Sequence, residues 1–126
     1  MLQTGIDLIE VSRIESTIIR YGDRFLTRVF SAAELAYCGG RPHQLAARFA
    51  FKEAVAKVLG VGIQHPDGVA WNEIQVISGE RGKPLVHLCG KAAQRAQNLK
   101  LHAIAVSLSH THEHAIAMAI AEQAGG

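Results

Sequence analysis

Runs of apolar residues with two different spacings predict both strands and helices in this chain. Residues 5–11, GIDLIEV, are apolar and rich in branched side chains, which predicts a largely buried strand that contains one acid. From residue 44 to residue 59 apolar side chains recur on one arc at helical spacing, and Gly60 follows, so we expect the longest helix there. The segments HAIAVSLS and HAIAMAIA predict two further strands, separated by a turn at residues 110–113.

Two pairs of serine and glutamate have the spacing of a helix capping box. Ser12 with Glu15 predicts the start of a helix that ends near Gly22, and Ser31 with Glu34 predicts the start of a second, shorter helix. In such a box each side chain bonds a backbone amide of the other residue, so both helix starts would have satisfied donors.

The middle of the chain has the pattern of a hairpin followed by a helix. Residues 71–77, WNEIQVI, and 85–89, LVHLC, are predicted to be antiparallel strands joined by the glycine- and proline-containing segment SGERGKP. Residues 90–99 are alanine-rich and are predicted to be helical. This order of elements indicates a single α+β domain over residues 1–126, with an antiparallel sheet packed against the long central helix.

Composition narrows the classes of protein that fit. The 126 residues are 48% hydrophobic, which is ordinary for one globular core, and so small a domain gains from burying further surface between subunits. The net charge of +2 and the scattered basic residues are not those of a nucleic-acid binder. The two cysteines, Cys38 and Cys89, lack metal-type or CxxC spacing, which favours a reducing compartment.

The distribution of apolar residues predicts neither a signal peptide nor a membrane span. The first residues include acids and only short apolar runs. The apolar region at residues 103–121 is interrupted by SHTHEH, which rules out an uninterrupted spanning helix. We therefore expect a cytoplasmic enzyme.

Three charged residues suggest a site for a hard cation. Asp7 lies in an apolar strand, where its carboxylate needs a cation or hydrogen-bond donors, unless it is solvated at a strand end. Glu53 and Lys57 lie one turn apart on the long helix and would be neighbours, although such a pair is often an exposed ion pair. Two carboxylates and a lysine suit Mg²⁺ holding a diphosphate, with the lysine meeting phosphate oxygens.

Histidines and arginines offer two further patterns. His110, His112 and His114 alternate as ligands on one face of a strand would, but a polar histidine-rich turn explains them equally well. A basic stripe, which we expect to lie away from the acidic pair, is either solvated or steers an acidic partner. If the first helix persisted past Gly22, this stripe would consist of Arg13, Thr17, Arg20 and Arg24.

Three segments together resemble the holo-acyl-carrier-protein synthases of the 4'-phosphopantetheinyl transferase superfamily. They are GIDLIEVSRIE at residues 5–15, RFAFKEAVAKVLG at 48–60, and GKP at 82–84 with SLSH at 107–110, and their order extends the similarity over the whole chain. The resemblance implies transfer of 4'-phosphopantetheine from coenzyme A to a serine of apo-acyl carrier protein, in support of fatty acid biosynthesis. The other product is adenosine 3',5'-bisphosphate.

The resemblance also implies roles for individual residues. Asp7 and Glu53 would bind Mg²⁺ with the diphosphate, Lys57 would contact the phosphates, and either Glu53 or a metal-bound hydroxide would take the serine proton. The family's short members are trimers with active sites between protomers. Residues implied to line the coenzyme A pocket are Arg48, Lys57, Gly82, Lys83, Pro84, Ser107 and His110, and those implied to contact the carrier protein are Arg13, Arg20 and Arg24.

Two other functions remain open at this level. One is a metal hydrolase built on His110, His112 and His114, and the other is a small trimeric module that binds acidic helices without catalysis. The histidines after His110 depart from the family pattern, and the sequence assigns them no purpose.

Overall fold

The computed structural model describes residues 1–125, which form five α-helices and two antiparallel sheets. The strand orders are β1-β5-β4 and β2-β3, so the predicted α+β class is confirmed. Short 3-10 turns precede β2 and β3. The elements are β1 Leu2–Glu10, α1 Val11–Tyr21, α2 Asp23–Val29, α3 Ala32–Cys38, α4 Pro42–Leu59, β2 Ile74–Ser78, β3 Pro84–Leu88, α5 Gly90–Asn98, β4 Leu101–His110 and β5 His114–Gln123.

Small residues allow the long helix α4 to pack closely on the three-stranded sheet. The central strand β5 has an alanine at every second position, and all four of these alanines are buried. On β1, a Cβ added to Gly5 would lie 2.0 Å from the carbonyl oxygen of Ala54. Since no side chain fits between them, the inner face of β1 lies directly against the second half of α4. The four alanines are Ala115, Ala117, Ala119 and Ala121.

The opposite face of this sheet is apolar and uncovered. Ile6 and Leu8 are 55% and 62% exposed, whereas Asp7 between them belongs to the inner face. Met118 pairs with Ile6 and is 48% exposed. The expectation of a largely buried first strand is therefore wrong for a single chain, because its large apolar side chains point away from α4.

One predicted capping box forms and the other does not. The Ser31 Oγ accepts a hydrogen bond from the Glu34 amide at 3.1 Å, and Glu34 Oε1 accepts one from the Ser31 amide at 2.7 Å. By contrast, α1 begins at Val11 directly after β1, so Ser12 lies inside its first turn. The prediction of an Ser12 cap is wrong because the strand continues to Glu10 without a loop.

A buried ion pair that sequence analysis did not predict links three elements. Lys52 and Glu34 are almost fully buried, and Lys52 Nζ lies 2.9 Å from Glu34 Oε1. Glu34 Oε2 accepts a hydrogen bond from the Val76 amide at 2.6 Å, and Lys52 Nζ donates to the Trp71 carbonyl at 3.2 Å. Burial lowers the pKa of Lys52, and the charge of Glu34 partly opposes this. The pair fastens α3 and α4 to β2.

Within residues 1–125, none of the helices is long and apolar enough to cross a membrane.

Candidate active site

At the candidate site an ion pair joins Lys57 on α4 to Asp7 on β1. Lys57 Nζ lies 3.4 Å from Asp7 Oδ1 and donates a hydrogen bond to the Ile6 carbonyl at 2.6 Å. The Lys57 side chain is half exposed, so its ammonium group can also reach a ligand. Gly5 has no side chain, so the backbones of β1 and α4 lie close enough together for this contact to form.

Glu53 places a second carboxylate beside Asp7. Burial and then the charge of Asp7 raise the pKa of Glu53, and Lys57 partly opposes both effects. Burial likewise raises the pKa of Asp7, and Lys57 again acts in the opposite direction. Two half-buried carboxylates therefore repel each other with one lysine to offset them. This electrostatic situation favours a bound cation.

The donor set of this pair fits a hard divalent cation. Carboxylate oxygens are the ligands that Mg²⁺ prefers, and Mg²⁺ is usually held by one or two of them together with waters and substrate phosphates. Across residues 1–125 there is no group of three or more acids, histidines or cysteines placed to hold a metal. Asp7 and Glu53 alone suit a metal that binds together with a phosphate-containing substrate.

A cavity of about 620 Å³ connects the acidic pair to the first two helices. Arg13 and Arg24 line it together with Asp7 and Glu53, so the expectation that the basic stripe lies away from the acidic pair is wrong for these two arginines. The stripe is also not on one helix, because the chain turns at Gly22 and Arg24 belongs to α2. Other lining residues include Thr17, Tyr21, Phe25, Arg28, Phe49, Gln64 and Trp71.

Arg20 is the member of the predicted stripe that does not line this cavity. Its guanidinium carbon lies 5.3 Å from the centre of the Tyr21 ring, on the solvent side of α1. Arg20 therefore extends the basic surface outward from the cavity mouth.

A second group of predicted residues surrounds Tyr37. The buried Arg48 lies 4.6 Å above the Tyr37 ring and donates a hydrogen bond to Gln44. A Cβ added to Gly82 would lie 3.5 Å from the Tyr37 hydroxyl, so the Gly82-Lys83-Pro84 turn lies beside the hydroxyl end of that ring. Arg48 and Glu53 are about 140° apart around α4, at 100° per residue. Arg48 therefore does not line the cavity that contains Glu53.

The remaining predicted residues lie at the sheet. Ser107 pairs with Met118 on the outer face, and Asp7 pairs with Ala117 on the inner face. Paired residues of an antiparallel sheet share a face, so Ser107 and Asp7 are on opposite sides of one sheet. They cannot contact one ligand group within a single chain.

The predicted turn between the last two strands is confirmed, and the three histidines are placed around it instead of on one face of a single strand. His110 ends β4, His112 is in the following turn and His114 begins β5. The ring of His43, at the start of α4, has its centre 5.6 Å from both the His110 and the His112 ring centres. His43 and Tyr37 complete these clusters, and no spacing in the sequence indicates either of them.

Comparison with known proteins identifies the class of protein to which this site belongs. Residues 3–119 match the model of the 4'-phosphopantetheinyl transferase superfamily, and the chain therefore belongs to that superfamily. The holo-[acyl-carrier-protein] synthase of Roseiflexus castenholzii is 50% identical to it over 110 residues, which cover 85% of this chain and 81% of the relative.

Solved structures extend the similarity to the fold. An ACPS–CoA complex from Chronobacterium ammoniagenes has a TM-score of 0.86 and 27% identity, with 99% of each chain covered. The holo-[acyl-carrier-protein] synthase of Helicobacter pylori in complex with coenzyme A has a TM-score of 0.84 and 28% identity, with 94% of this chain and 99% of that one covered. The predicted resemblance to the holo-acyl-carrier-protein synthases is thus confirmed. The comparisons favour a transferase over the histidine-based hydrolase and the binding module.

Proposed function

We propose that this chain transfers 4'-phosphopantetheine from coenzyme A to a serine of apo-acyl carrier protein, with Asp7, Glu53 and Lys57 at the reaction centre. The observation that carries the assignment of the centre is the pair of half-buried, mutually repelling carboxylates beside a lysine. The superfamily match at residues 3–119 supports one domain for this activity. The product, holo-carrier protein, serves fatty acid biosynthesis.

Asp7 and Glu53 would hold the cation, and we propose Mg²⁺. Both are oxygen donors, burial raises the pKa of each carboxyl, and the charge of Asp7 raises the pKa of Glu53 further, so a cation would be favoured at this pair. When bound, a divalent cation supplies charge neutralisation to the diphosphate.

The chain's own residues have separate tasks in the transfer. Lys57 presents an exposed ammonium group to the phosphate oxygens on the leaving-group side. The serine oxygen forms a bond to the phosphorus that carries the pantetheine arm, and the bond from that phosphorus to adenosine 3',5'-bisphosphate breaks. Glu53, whose carboxylate lies at the reaction centre, accepts the serine proton.

We propose further that three copies of the chain assemble and share their active sites. The apolar outer sheet face, exposed at Ile6, Leu8 and Met118, is the type of surface that subunits cover. Ser107 lies on that same face, and Arg48 lies around α4 from Glu53. A neighbouring copy would bring these coenzyme A-binding residues to the acidic pair. The resemblance implies three-fold symmetry for this arrangement.

The other predicted contacts follow from the same assembly. Lys83, Pro84 and Gly82 would line the coenzyme A pocket beside Arg48, and His110 would line it at the end of β4. Arg13, Arg20 and Arg24 would attract the acidic surface of the carrier protein. We place the enzyme in the cytoplasm, where Cys38 and Cys89, both free thiols here, stay reduced.

A transfer assay with two acceptors tests the function. Coenzyme A labelled in its pantetheine arm is mixed with the protein, Mg²⁺ and apo-carrier protein, or with a carrier whose acceptor serine is alanine. Label should move only to the intact carrier and only without a chelator. Label that stays on coenzyme A while the protein retains stoichiometric zinc would instead support the histidine-based hydrolase.

A further inference from the structure

Gln64 has an unusual backbone conformation and a specific side-chain contact. Its φ is 61°, which lies in the left-handed region that residues other than glycine rarely adopt. With the Gln64 side-chain amide turned so that its oxygen faces the guanidinium of Arg28, this oxygen accepts hydrogen bonds from Arg28 Nε at 2.6 Å and Nη2 at 3.3 Å. Strained residues of this kind persist where the surrounding structure over-determines them, and they cluster at functional sites.

The loop after α4 holds Gln64 in this conformation. The backbone amide of Gln64 donates a hydrogen bond to the Val69 carbonyl at 2.7 Å, and Ile63 forms a β-bridge with Val69. A Cβ added to Gly68 would lie 1.9 Å from the Gly62 carbonyl oxygen, so the two ends of the loop are in close contact. The two ends of the loop therefore hold each other, and the loop directs the side-chain amide of Gln64 toward Arg28 on α2.

Arg28 lines the same cavity as Asp7 and Glu53. In the described part of the chain the ion pairs are Lys52–Glu34 and Lys57–Asp7, so Arg28 has no carboxylate partner there. Gln64 is neutral, and it fixes the guanidinium without cancelling its charge. Nη1 is not used in the contact with Gln64, which leaves a donor for an anion.

We propose that Gln64 is a positioning residue that holds Arg28 at the cavity mouth, where Arg28 contacts a carboxylate of the acidic carrier protein beside its acceptor serine. This inference rests on the proposed function. Arg28 follows Arg24 by one turn on α2, so it continues the basic surface toward the cavity. Lys57, not Arg28, is the cation paired with the acidic centre, which favours a carrier contact over a phosphate contact.

Three variants separate positioning from folding. Gln64→Gly removes the side-chain amide and adopts the positive φ without strain, so the protein should still fold. Gln64→Glu keeps a side chain of the same length, but its carboxylate neutralises the charge of Arg28. Both should raise KM for the carrier about five- to tenfold at low ionic strength, with kcat and KM for coenzyme A unchanged. Lys100→Gly is the matched control, since Lys100 also has a positive φ, of 58°, but does not line the cavity.

A double-variant test links the effect to Arg28. Arg28→Gln alone should raise KM for the carrier, and Gln64→Gly in that background should add nothing. Unchanged carrier kinetics in Gln64→Gly, or a raised KM for coenzyme A instead, would overturn the inference while leaving the transferase assignment intact. Absence of transfer by the wild-type protein would count against the proposed function, and titration of apo-carrier onto each variant would then show directly whether Arg28 and Gln64 contact it.

Discussion

The ammonium group of Lys57 lies 3.4 Å from the Asp7 carboxylate, although fifty residues separate them in the chain. Glu53 lies one turn earlier on the same helix. Its negative charge and that of Asp7 repel each other, and Lys57 attracts both. One lysine thus offsets two carboxylates in a half-buried position. This imbalance of charge lowers the stability of the folded state, but it suits a site that takes up a cation together with its substrate.

The imbalance predicts opposite effects on activity and stability. Asp7→Asn and Glu53→Gln should each lower transfer about a hundredfold or more, because each removes one of the two proposed cation ligands and Glu53 is also the proposed acceptor of the serine proton. In the presence of chelator, Glu53→Gln should unfold at a higher urea concentration than the wild type, since it relieves the repulsion. Glu15→Gln, an exposed acid on α1, is the control for both measurements. Normal transfer by either site variant would exclude it from the reaction centre.

The raised pKa of Glu53 predicts a pH dependence with a definite sign. A carboxyl whose pKa is higher in the folded than in the unfolded state contributes stability at low pH and loses it as pH rises. The metal-free protein should therefore lose part of its stability as pH rises from the ordinary glutamate value of 4.5 through the higher folded value. The difference between wild type and Glu53→Gln isolates this contribution in urea unfolding. Mg²⁺ with coenzyme A should reduce the pH-dependent difference in stability between the two proteins. A difference that increases when Mg²⁺ and coenzyme A are added would contradict the account.

Gly5 has a predicted structural role because it permits the contact between β1 and α4. Gly5→Ala would place a Cβ 2.0 Å from the Ala54 carbonyl, so the strand must move away from the helix. We expect a loss of about 1–3 kcal/mol in the free energy of unfolding and weaker Mg²⁺-dependent transfer. Gln97→Ala, at an exposed position of α5, should change neither. Wild-type stability and activity in Gly5→Ala would show that the close packing is not required.

The buried Lys52–Glu34 pair should matter for stability and not for chemistry. Lys52→Met leaves the Glu34 charge buried without its cation and should cost about 3–5 kcal/mol in unfolding free energy. Lys52→Met combined with Glu34→Gln should cost less than Lys52→Met alone, because no uncompensated charge remains. Denaturation of both variants checks this order, which fails if the double variant is the less stable one.

Local patterns predicted most of the elements because each depends on nearby residues. The long helix and both hairpins follow from apolar spacing and turn residues. The separate helix α2 was missed, since the reversal at Gly22, with φ of 56°, resembles an ordinary helix end. The start at Val11 was missed because β1 runs directly into α1.

The site was harder to predict because it depends on contacts between distant segments. Asp7 and Glu53 meet only through strand register and the missing side chain at Gly5, which no single motif encodes. The alternation of Ile6, Asp7 and Leu8 indicates a two-sided strand, but it does not say which side faces the core. In this chain the apolar side faces outward, where we propose that another copy packs.

Mixed assemblies test most directly the central claim, that the acidic pair of one copy works with the coenzyme A-binding residues of another. Glu53→Gln chains and Arg48→Gln chains, each inactive alone, are unfolded, mixed in equal amounts and refolded. Lys83→Ala, at an exposed position, replaces Arg48→Gln in a second mixture in case the buried arginine is needed for folding. If the sites are shared, random mixing restores about a quarter of the wild-type sites, so transfer should return to roughly that level. Mixtures as inactive as their separate components would contradict the account.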